Sequence, residues 1–224
     1  GTSMGIFIND LTAVYGGKEL PVLRVRYRDY SEWQNKEKTG ALIKQQERYW
    51  LNQFEGEIPV LNLPTDYPRP LLQSFEGNAL TFEIGEDETG ALRSLALKQG
   101  ATLFMLLLSI YNVLLSKLGS QEDIMVGMPV AARRHADLQG IIGMFVNTLA
   151  VRNYPQGEKT YHSFLKEVVS NSVNAFENQD VQFEELVDKL DLERDPSRNP
   201  LFDISTVVQN FRKAGGGVRV RGKQ

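Results

Sequence analysis

Cysteine is absent from the 224-residue sequence, and histidine occurs only twice. Without cysteine the chain cannot form disulfide bonds, thiolate nucleophiles or thiolate metal sites, and this composition fits a cytoplasmic protein. The two histidines, His135 and His162, lack the spacing of metal ligands, so no metal site is predicted. Both are expected to be solvated, although His135, in a polar loop beside two arginines, could also act as a base.

Strong net charge and long hydrophobic runs are also missing. The formal net charge is -3, which gives no electrostatic reason to expect binding to nucleic acid or to an anionic membrane. Residues 103–118 are the most apolar stretch, but they fall short of the roughly 18 to 20 apolar residues of a membrane span, so a buried helix is predicted. No nucleophile elbow or glycine-rich phosphate loop occurs, and the residues alone do not define a complete catalytic set.

Helical and strand patterns alternate along the chain, which predicts an α/β layered sandwich. Helices are predicted over residues 4–15, 29–54 with a break near Gly40, 89–99, 103–118, 160–177 and 183–190. Strands are predicted over residues 80–84, 124–130, 142–152 and 202–209. Thr102 and Asp180 are the expected N-caps of the helices that come after them. Four prolines between residues 59 and 70 break both periodicities and predict a linker between two structural units.

The predicted strand 142–152 carries two polar residues that need partners if they are buried. Asn147 and Arg152 would each have to find hydrogen-bond partners, because burying either group unpaired is costly. One interpretation is a central strand whose polar side chains tie neighbouring loops together. The other is a strand that lines a substrate passage. The spacing alone favours the first interpretation.

A second informative segment, residues 194–202, is a loop stiffened by two prolines. Arg194, Asp195 and Arg198 are expected to form an internal salt-bridge clip. Asn199 precedes a proline and is therefore held extended, so its amide could instead be fixed in the direction of a site.

These two segments and two others resemble motifs of the condensation domains of non-ribosomal peptide synthetases. The motif Tyr-x-Asp-(Phe/Tyr)-x-x-Trp is similar to residues 27–33, with Tyr27, Asp29 and Trp33 at its fixed positions. The motif Gly-x-Phe-Val-Asn-Thr-x-x-x-Arg matches residues 143–152 and begins at Gly143.

The two remaining motifs lie in the last quarter of the chain. The motif (His/Asn)-Gln-Asp-x-Pro-Phe-Glu is similar to residues 178–184, with Gln179 and Asp180 in place and Gln182 instead of proline. The motif Arg-Asp-x-Ser-Arg-Asn-Pro-Leu-Phe matches residues 194–202 at every fixed position. Four motifs in the family's order make the resemblance specific.

The resemblance implies a fold of two lobes, each like chloramphenicol acetyltransferase, that form a V with a tunnel between them. Residues 1–57 would then be the end of the N-terminal lobe, residues 58–76 the inter-lobe linker, and residues 77–224 the C-terminal lobe. The family's catalytic motif, His-His-x-x-x-Asp-Gly, lies in the N-terminal lobe. Residues 1–3 resemble the end of that motif and the positions just after it, so the chain is expected to start after the catalytic histidines and to be inactive alone.

The resemblance also implies a reaction, in which the amine of an acceptor aminoacyl thioester attacks a donor acyl or peptidyl thioester. Phosphopantetheine arms of carrier proteins hold both substrates, and no cofactor binds the domain directly. Asn199 would border the reaction centre, and Asn147 and Arg152 would organise the lobe interface. Pro129 and Arg133 would belong to a tunnel wall, in which Ala132 replaces a common glycine.

The implied partners are donor and acceptor peptidyl carrier proteins, the N-terminal lobe and a neighbouring adenylation domain, with neither nucleic acid nor membrane. One alternative is a non-catalytic module that docks carrier proteins or tailoring enzymes, and another is a stand-alone acyltransferase. Epimerization domains usually carry Asn-Tyr-Leu-Gly where this chain has residues 145–148, Phe-Val-Asn-Thr, which favours condensation. Heterocyclization domains differ chiefly in the histidine motif and are disfavoured.

Overall fold

Groups of two or three helices are interleaved with pairs of strands in the structure, a computed structural model that describes residues 2–37, 40–192, 195–209, 218–219 and 222–223. The α-helices within these ranges are α1 (Thr2–Tyr15), α2 (Tyr27–Glu37), α3 (Ala41–Gln53), α4 (Glu86–Lys98), α5 (Leu103–Gly119), α6 (Tyr161–Glu177) and α7 (Phe183–Lys189). The strands are β1 (Ala79–Leu80), β2 (Glu83–Ile84), β3 (Ile124–Val130), β4 (Asn147–Asn153), β5 (Val218–Arg219) and β6 (Gly222–Lys223). The predicted α/β class is confirmed.

The centre of the fold is the antiparallel pair β3–β4, in which Ile124 faces Asn153 and Val130 faces Asn147. Helices α5 and α6 pack against each other and against these strands. Nearly every residue of the two strands is buried, so the alternation typical of a half-exposed strand is absent. The two shorter pairings, β1 with β6 and β2 with β5, are also antiparallel.

The core also includes side chains that precede β1. Trp50 and Phe54, at the end of α3, are 2% and 3% exposed and belong to the same buried cluster as Ile124 and Leu149. Leu61, in the proline-rich segment, joins this cluster. That segment has no helix or strand, as the prolines predict. The boundaries at residues 57 and 76 remain predictions, and the core extends across the first of them.

Local signals in the sequence place most helices correctly. The Thr102 hydroxyl accepts a hydrogen bond from the backbone N–H of Met105, and the Thr160 hydroxyl does the same for Ser163 at the start of α6. Helix α5 is the predicted buried helix. In the part of the chain that is described, no single helix is long and apolar enough to cross a membrane, whereas α4 and α5 together, bent by 100°, satisfy length and composition alone.

Three predicted strands differ from the structure, and a tertiary contact accompanies one of the differences. Residues 142–146 are a loop, so β4 begins only at Asn147; here the Tyr27 hydroxyl of α2, not a neighbouring strand, contacts the backbone. Residues 202–209 form only an isolated bridge to Gly127 at Ser205. The predicted strand over residues 80–84 is divided into β1 and β2.

The N-cap of α7 is also different from the prediction. Gln182, not Asp180, occupies the N-cap position, and its side chain makes no capping hydrogen bond. The backbone N–H of Phe183 donates instead to the Asn147 side-chain oxygen, at 3.2 Å. Asp180 is engaged with Gln46 and Arg134 and does not cap the helix.

The close approach of Phe202 to β3 depends on Gly127. A Cβ atom at this position would lie 2.4 Å from a ring carbon of Phe202. The same glycine donates its N–H to the carbonyl of Ile204 and accepts from the N–H of Thr206, both at 2.9 Å. The absence of a side chain therefore lets the segment after residue 201 dock on the central strand.

We expect Gly127→Ala to lower the free energy of unfolding by about 1–3 kcal/mol, the range of overpacking substitutions. The Phe202 ring must move, and the two backbone hydrogen bonds to β3 weaken with it. Urea titration followed by tryptophan fluorescence measures the loss. Gly90→Ala is the matched control, because a Cβ atom there meets nothing within 4 Å and stability should not fall. Equal stability of the two variants would contradict this account.

Candidate functional site

A cavity of about 520 Å³ opens at the end of β3, a volume within the range of ligand pockets in proteins. It lies between the start of α5, the end of α6 and the segment after Ser205. The described residues that line it are Thr102, Leu103, Phe104, Met128, Pro129, Val130, Ala131, Ala132, Arg133, Arg134, Phe176, Gln179, Thr206, Val207 and Val208. The cavity thus collects Pro129 and Arg133, the predicted tunnel-wall residues, but does not include Asn147, Arg152 or Asn199.

Arg133 anchors the loop that leads into β4. Its guanidinium donates to the carbonyls of Leu138 and Ile141 at 2.5 and 2.7 Å, and to the Ser3 hydroxyl at 3.0 Å. The guanidinium carbon lies 4.0 Å from the centre of the Phe145 ring, a cation–π contact. Burial lowers the pKa of Arg133 below its ordinary value. Its side chain therefore joins α1 to the wall of the cavity.

Arg134, the next residue, is directed to a different network. It donates to Asp180 Oδ2 at 2.7 Å. The buried Gln46 of α3 donates to the same oxygen at 2.9 Å and accepts from the backbone N–H of Asp180 at 2.9 Å. Asp180 therefore fixes α3 and the cavity loop to the segment before α7.

Ala132, between these arginines, has a left-handed backbone conformation with φ of 45°. An L-residue other than glycine adopts this region at a cost of roughly 1–2 kcal/mol. By resemblance, glycine is common at this position, and the backbone conformation explains why. The turn directs Arg133 towards α1 and Arg134 towards Asp180.

We expect Ala132→Gly to raise the free energy of unfolding by about 0.5–1 kcal/mol, because relief of the left-handed strain exceeds the extra entropy of glycine in the unfolded chain. Ala131→Gly is the control. Its φ is not positive, so glycine should destabilise the chain there. Urea titration of both variants measures whether the free energy of unfolding rises or falls. A loss of stability in Ala132→Gly would contradict the strain assigned to this residue.

Two motifs that are far apart in the sequence meet at Gly143. The Tyr27 hydroxyl donates to the carbonyl of Met144 at 2.8 Å, and a Cβ atom on Gly143 would lie 2.2 Å from the Tyr27 ring. The Ser3 hydroxyl donates to the carbonyl of Gly143 at 2.8 Å. Asp29 accepts from the backbone N–H of Arg26 at 2.9 Å, which satisfies a free donor at the start of α2.

Trp33, the last fixed residue of the first motif, has a different environment. It is 57% exposed, and its ring centre lies 6.0 Å from that of Tyr30. With Tyr30 it lines a small pocket of about 30 Å³, which shares the lining residues Ala132 and Gln179 with the larger cavity.

Asn147 is 4% exposed and its amide makes four hydrogen bonds. Its nitrogen donates to the carbonyls of Gln179 and Val181 at 2.8 and 2.7 Å. Its oxygen accepts from the N–H groups of Thr148 and Phe183. The side chain thus holds the loop that carries Gln179 at the cavity, which agrees with the interpretation that this strand ties loops together.

Arg152 ties β4 to the end of α3. Its side chain is 8% exposed and forms a bidentate pair with Asp123, with contacts of 2.6 and 2.9 Å. It also donates to the carbonyls of Gln53 and Glu57, at 3.3 and 2.8 Å. The hydrogen bond to Asp123 raises the pKa of Arg152 above its ordinary value. Arg152 thereby joins the segments on the two sides of the predicted lobe boundary.

The loop that begins at Asp195 contains one pair of the predicted clip, in which Arg198 Nε lies 3.4 Å from an Asp195 oxygen. Hydrogen bonds from Ser197 hold the pKa of the Asp195 carboxyl below its ordinary value. The Asn199 oxygen accepts from the N–H groups of Leu201 and Phe202 at 3.1 and 3.3 Å, which stabilises the turn. A role for Asn199 at a reaction centre remains a prediction, and Arg194 lies outside the described residues.

Several residues that shape the site were missed by the sequence analysis. Gln46 had a usable signal, because an amide there interrupts the apolar spacing of Ile43 and Trp50 on one face of α3. Ser3 and Asp123 had none, since their partners are remote in the sequence. Both histidines are exposed, and neither is among the described residues that line the cavity.

The comparisons with known proteins agree with the four motifs. The family model for the condensation domain matches residues 1–219. The chain is 53% identical over 213 residues to tyrocidine synthase 3 of Brevibacillus parabrevis, covering 95% of the chain and 3% of that protein. It is 51% identical over 214 residues to bacitracin synthase 3 of Bacillus licheniformis, covering 96% of the chain and 3% of that protein.

A solved structure gives the same result for the fold. The chain is similar to holo-AB3403, a four-domain nonribosomal peptide synthetase, with a TM-score of 0.82 and 26% identity, covering 99% of this chain and 18% of that one. The α/β fold like that of chloramphenicol acetyltransferase, which the resemblance implied, is confirmed, whereas the arrangement of two lobes in a V remains a prediction. The chain belongs to the condensation domain family of nonribosomal peptide synthetases.

Proposed function

We propose that this chain is the C-terminal lobe, with the end of the N-terminal lobe, of a condensation domain that joins two thioester-bound substrates through an amide bond. The observation that carries the proposal is the cavity at the end of β3, which is lined by Pro129 and Arg133 in a chain with all four family motifs. The amine of the acceptor would attack the donor carbonyl, and the thiol of the donor arm would leave. Holding both substrates in one passage lowers the entropic part of the barrier.

The residues of this chain are proposed to position the substrates and not to transfer the proton. A general base must lie within hydrogen-bond reach of the attacking amine, directly or through one water molecule. Neither His135 nor His162 is among the described residues of the cavity wall, and Arg133 and Arg134 are cations engaged with other groups. The histidine motif of the N-terminal lobe is proposed to supply the base.

The exposed apolar surface of α1 supports the proposal that another lobe packs against this helix. None of its described residues is buried, and Phe7, Leu11 and Val14 are about half exposed, at 48%, 54% and 55%. A helix with an apolar stripe normally buries that stripe against another element. We propose that the rest of the N-terminal lobe covers it and closes one side of the passage.

The proposed partners are those that the reaction requires. A donor and an acceptor peptidyl carrier protein would present their phosphopantetheine arms, and a neighbouring adenylation domain would activate an amino acid for loading. The domain itself would hold no cofactor and would work in the cytoplasm.

The chain alone is expected to produce no dipeptidyl thioester when it is mixed with a loaded donor and a loaded acceptor carrier protein, because it lacks the base. The same chain extended by the N-terminal lobe should produce it. Intact-protein mass spectrometry of the acceptor carrier measures the product. Rapid product formation by the 224-residue chain would contradict the assignment of the base to the other lobe.

A non-catalytic docking module is the second candidate, favoured by the absence of a histidine from the described cavity wall. It predicts that the extended chain binds carrier proteins but never joins their substrates. The mass-spectrometric experiment therefore separates the two functions, since only the condensation domain transfers the donor group.

A further inference from the structure

We propose that the cavity at the end of β3 selects an uncharged, apolar group on a pantetheine-linked substrate. This inference rests on the proposed function, because it names the substrate class of the same site. The group could be the side chain of an acceptor amino acid or the acyl end of a donor, since both sources have the same chemistry. Two observations support the inference: the apolar side chains that form the walls of the cavity, and the engagement of the charged side chains in those walls.

The interior surface of the cavity is formed mainly by apolar side chains. Met128 and Val130 of β3 are buried, at 1% and 9% exposure. The rings of Phe104 and Phe176 lie on the helical side, with their centres 6.3 Å apart. Val207 forms part of the wall and remains 54% exposed. Met128 and Val130 have little surface left to cover, so the gain comes from the partly exposed rings and from Val207, at about 25 cal/mol for each Å² of apolar surface removed from water.

The two cations in the wall offer little to an acidic substrate. Arg133 donates to two backbone carbonyls and to the Ser3 hydroxyl, so a substrate carboxylate would have to take it from the loop that it anchors. Arg134 is already paired through one nitrogen with Asp180, and its side chain is 53% exposed, so solvent weakens any further ion pair that it makes.

A basic substrate is disfavoured for a different reason. None of the described residues that line the cavity is acidic, so an ammonium group would be desolvated beside two arginines without a counter-ion. The polar groups that remain, on Thr102, Gln179 and Thr206, are neutral. They suit the amide groups of a pantetheine arm and not a charged side chain.

The test measures binding of non-hydrolysable pantetheine amides to the 224-residue chain by NMR titration. Phenylalanyl, aspartyl and lysyl amides are used, each with a free amine as the acceptor form and with an acetylated amine as the donor form. We expect the phenylalanyl probe to bind at least about tenfold more tightly than the charged probes in one of the two forms, which also identifies the source of the group. Equal binding of all three side chains, or no binding of the phenylalanyl probes, would overturn the proposal.

Val207→Asp places a carboxylate on an exposed part of the wall, where it should not disturb folding. It is expected to weaken phenylalanyl binding about tenfold or more and to reverse the preference towards lysine. Val173→Asp is the control, because Val173 is 42% exposed on α6 and lies outside the cavity wall. Unchanged phenylalanyl binding in Val207→Asp would show that the probe binds elsewhere and would overturn the proposal.

The binding assay requires no catalysis, so the two proposals can fail separately. Apolar-selective binding without any dipeptidyl product from the extended chain would overturn the condensation function only. If the extended chain formed product equally fast with phenylalanyl and with aspartyl substrates, both as acceptors and as donors, only the proposed selectivity would be overturned.

Discussion

Arg152→Met is expected to lower the free energy of unfolding by about 2–4 kcal/mol, because several charge-assisted hydrogen bonds are lost while the Asp123 carboxylate that remains is 32% exposed and can be hydrated. The guanidinium is 8% exposed at its side chain, and the substitution leaves the Asp123 carboxylate without its bidentate partner. The carbonyls of Gln53 and Glu57 also lose a charged donor. Methionine keeps much of the volume, so the loss reports polar contacts and not a cavity.

Urea titration of the purified chain measures this loss, and Arg28→Met is the matched control. Arg28 is 79% exposed and lies 3.9 Å from Glu32, so its removal should change stability by less than about 0.5 kcal/mol. Arg152→Lys should fall between the two, because lysine keeps the charge but cannot contact Asp123 and both carbonyls as a planar fork can. If Arg152→Met were as stable as Arg28→Met, the junction between α3 and β4 would not depend on this side chain.

Asn147→Ala is expected to lower the free energy of unfolding by about 2–4 kcal/mol, because the carbonyls of Gln179 and of the buried Val181 lose their donors and the Phe183 N–H loses its acceptor. The effect should extend to the site. Gln179 lines the cavity, and its loop is held to β4 through Asn147. The variant should therefore weaken binding of pantetheine amides even under conditions where it remains folded.

Asn147→Asp tests the donating nitrogen of the amide separately from its accepting oxygen. It keeps an oxygen that can accept from Phe183, but it places a second oxygen against two carbonyls, so it should be no more stable than the alanine variant. Asn178→Ala is the control. The half-buried Asn178 amide donates to one carbonyl of its own helix, and its loss should cost about 1 kcal/mol or less. Equal losses at residues 147 and 178 would contradict the tie assigned to Asn147.

The sequence predicts those parts of the fold that have local causes. The extent of β3 and the cap of α5 by Thr102 result from an apolar run and from a hydroxyl that meets an N–H three residues ahead. The strand predicted over residues 142–152 begins five residues late, at a segment where the hydroxyl of Tyr27, 117 residues away in the sequence, donates to the carbonyl of Met144. No local pattern contains that information.

For the site, four motifs identify the family, and the structure places Pro129 and Arg133 at the cavity at the end of β3, whereas the tunnel wall that the resemblance implies for them remains a prediction. The lack of cysteine and the position of both histidines are properties of the sequence that limit the chemistry of this chain. The tertiary structure alone reveals which segments Asn147, Arg152 and Asp180 hold together, because each bonds to groups at least 29 residues away in the sequence. A polar residue within an apolar stretch of the sequence indicates that a hydrogen-bond partner will be needed, whereas only the folded chain determines which group that partner is.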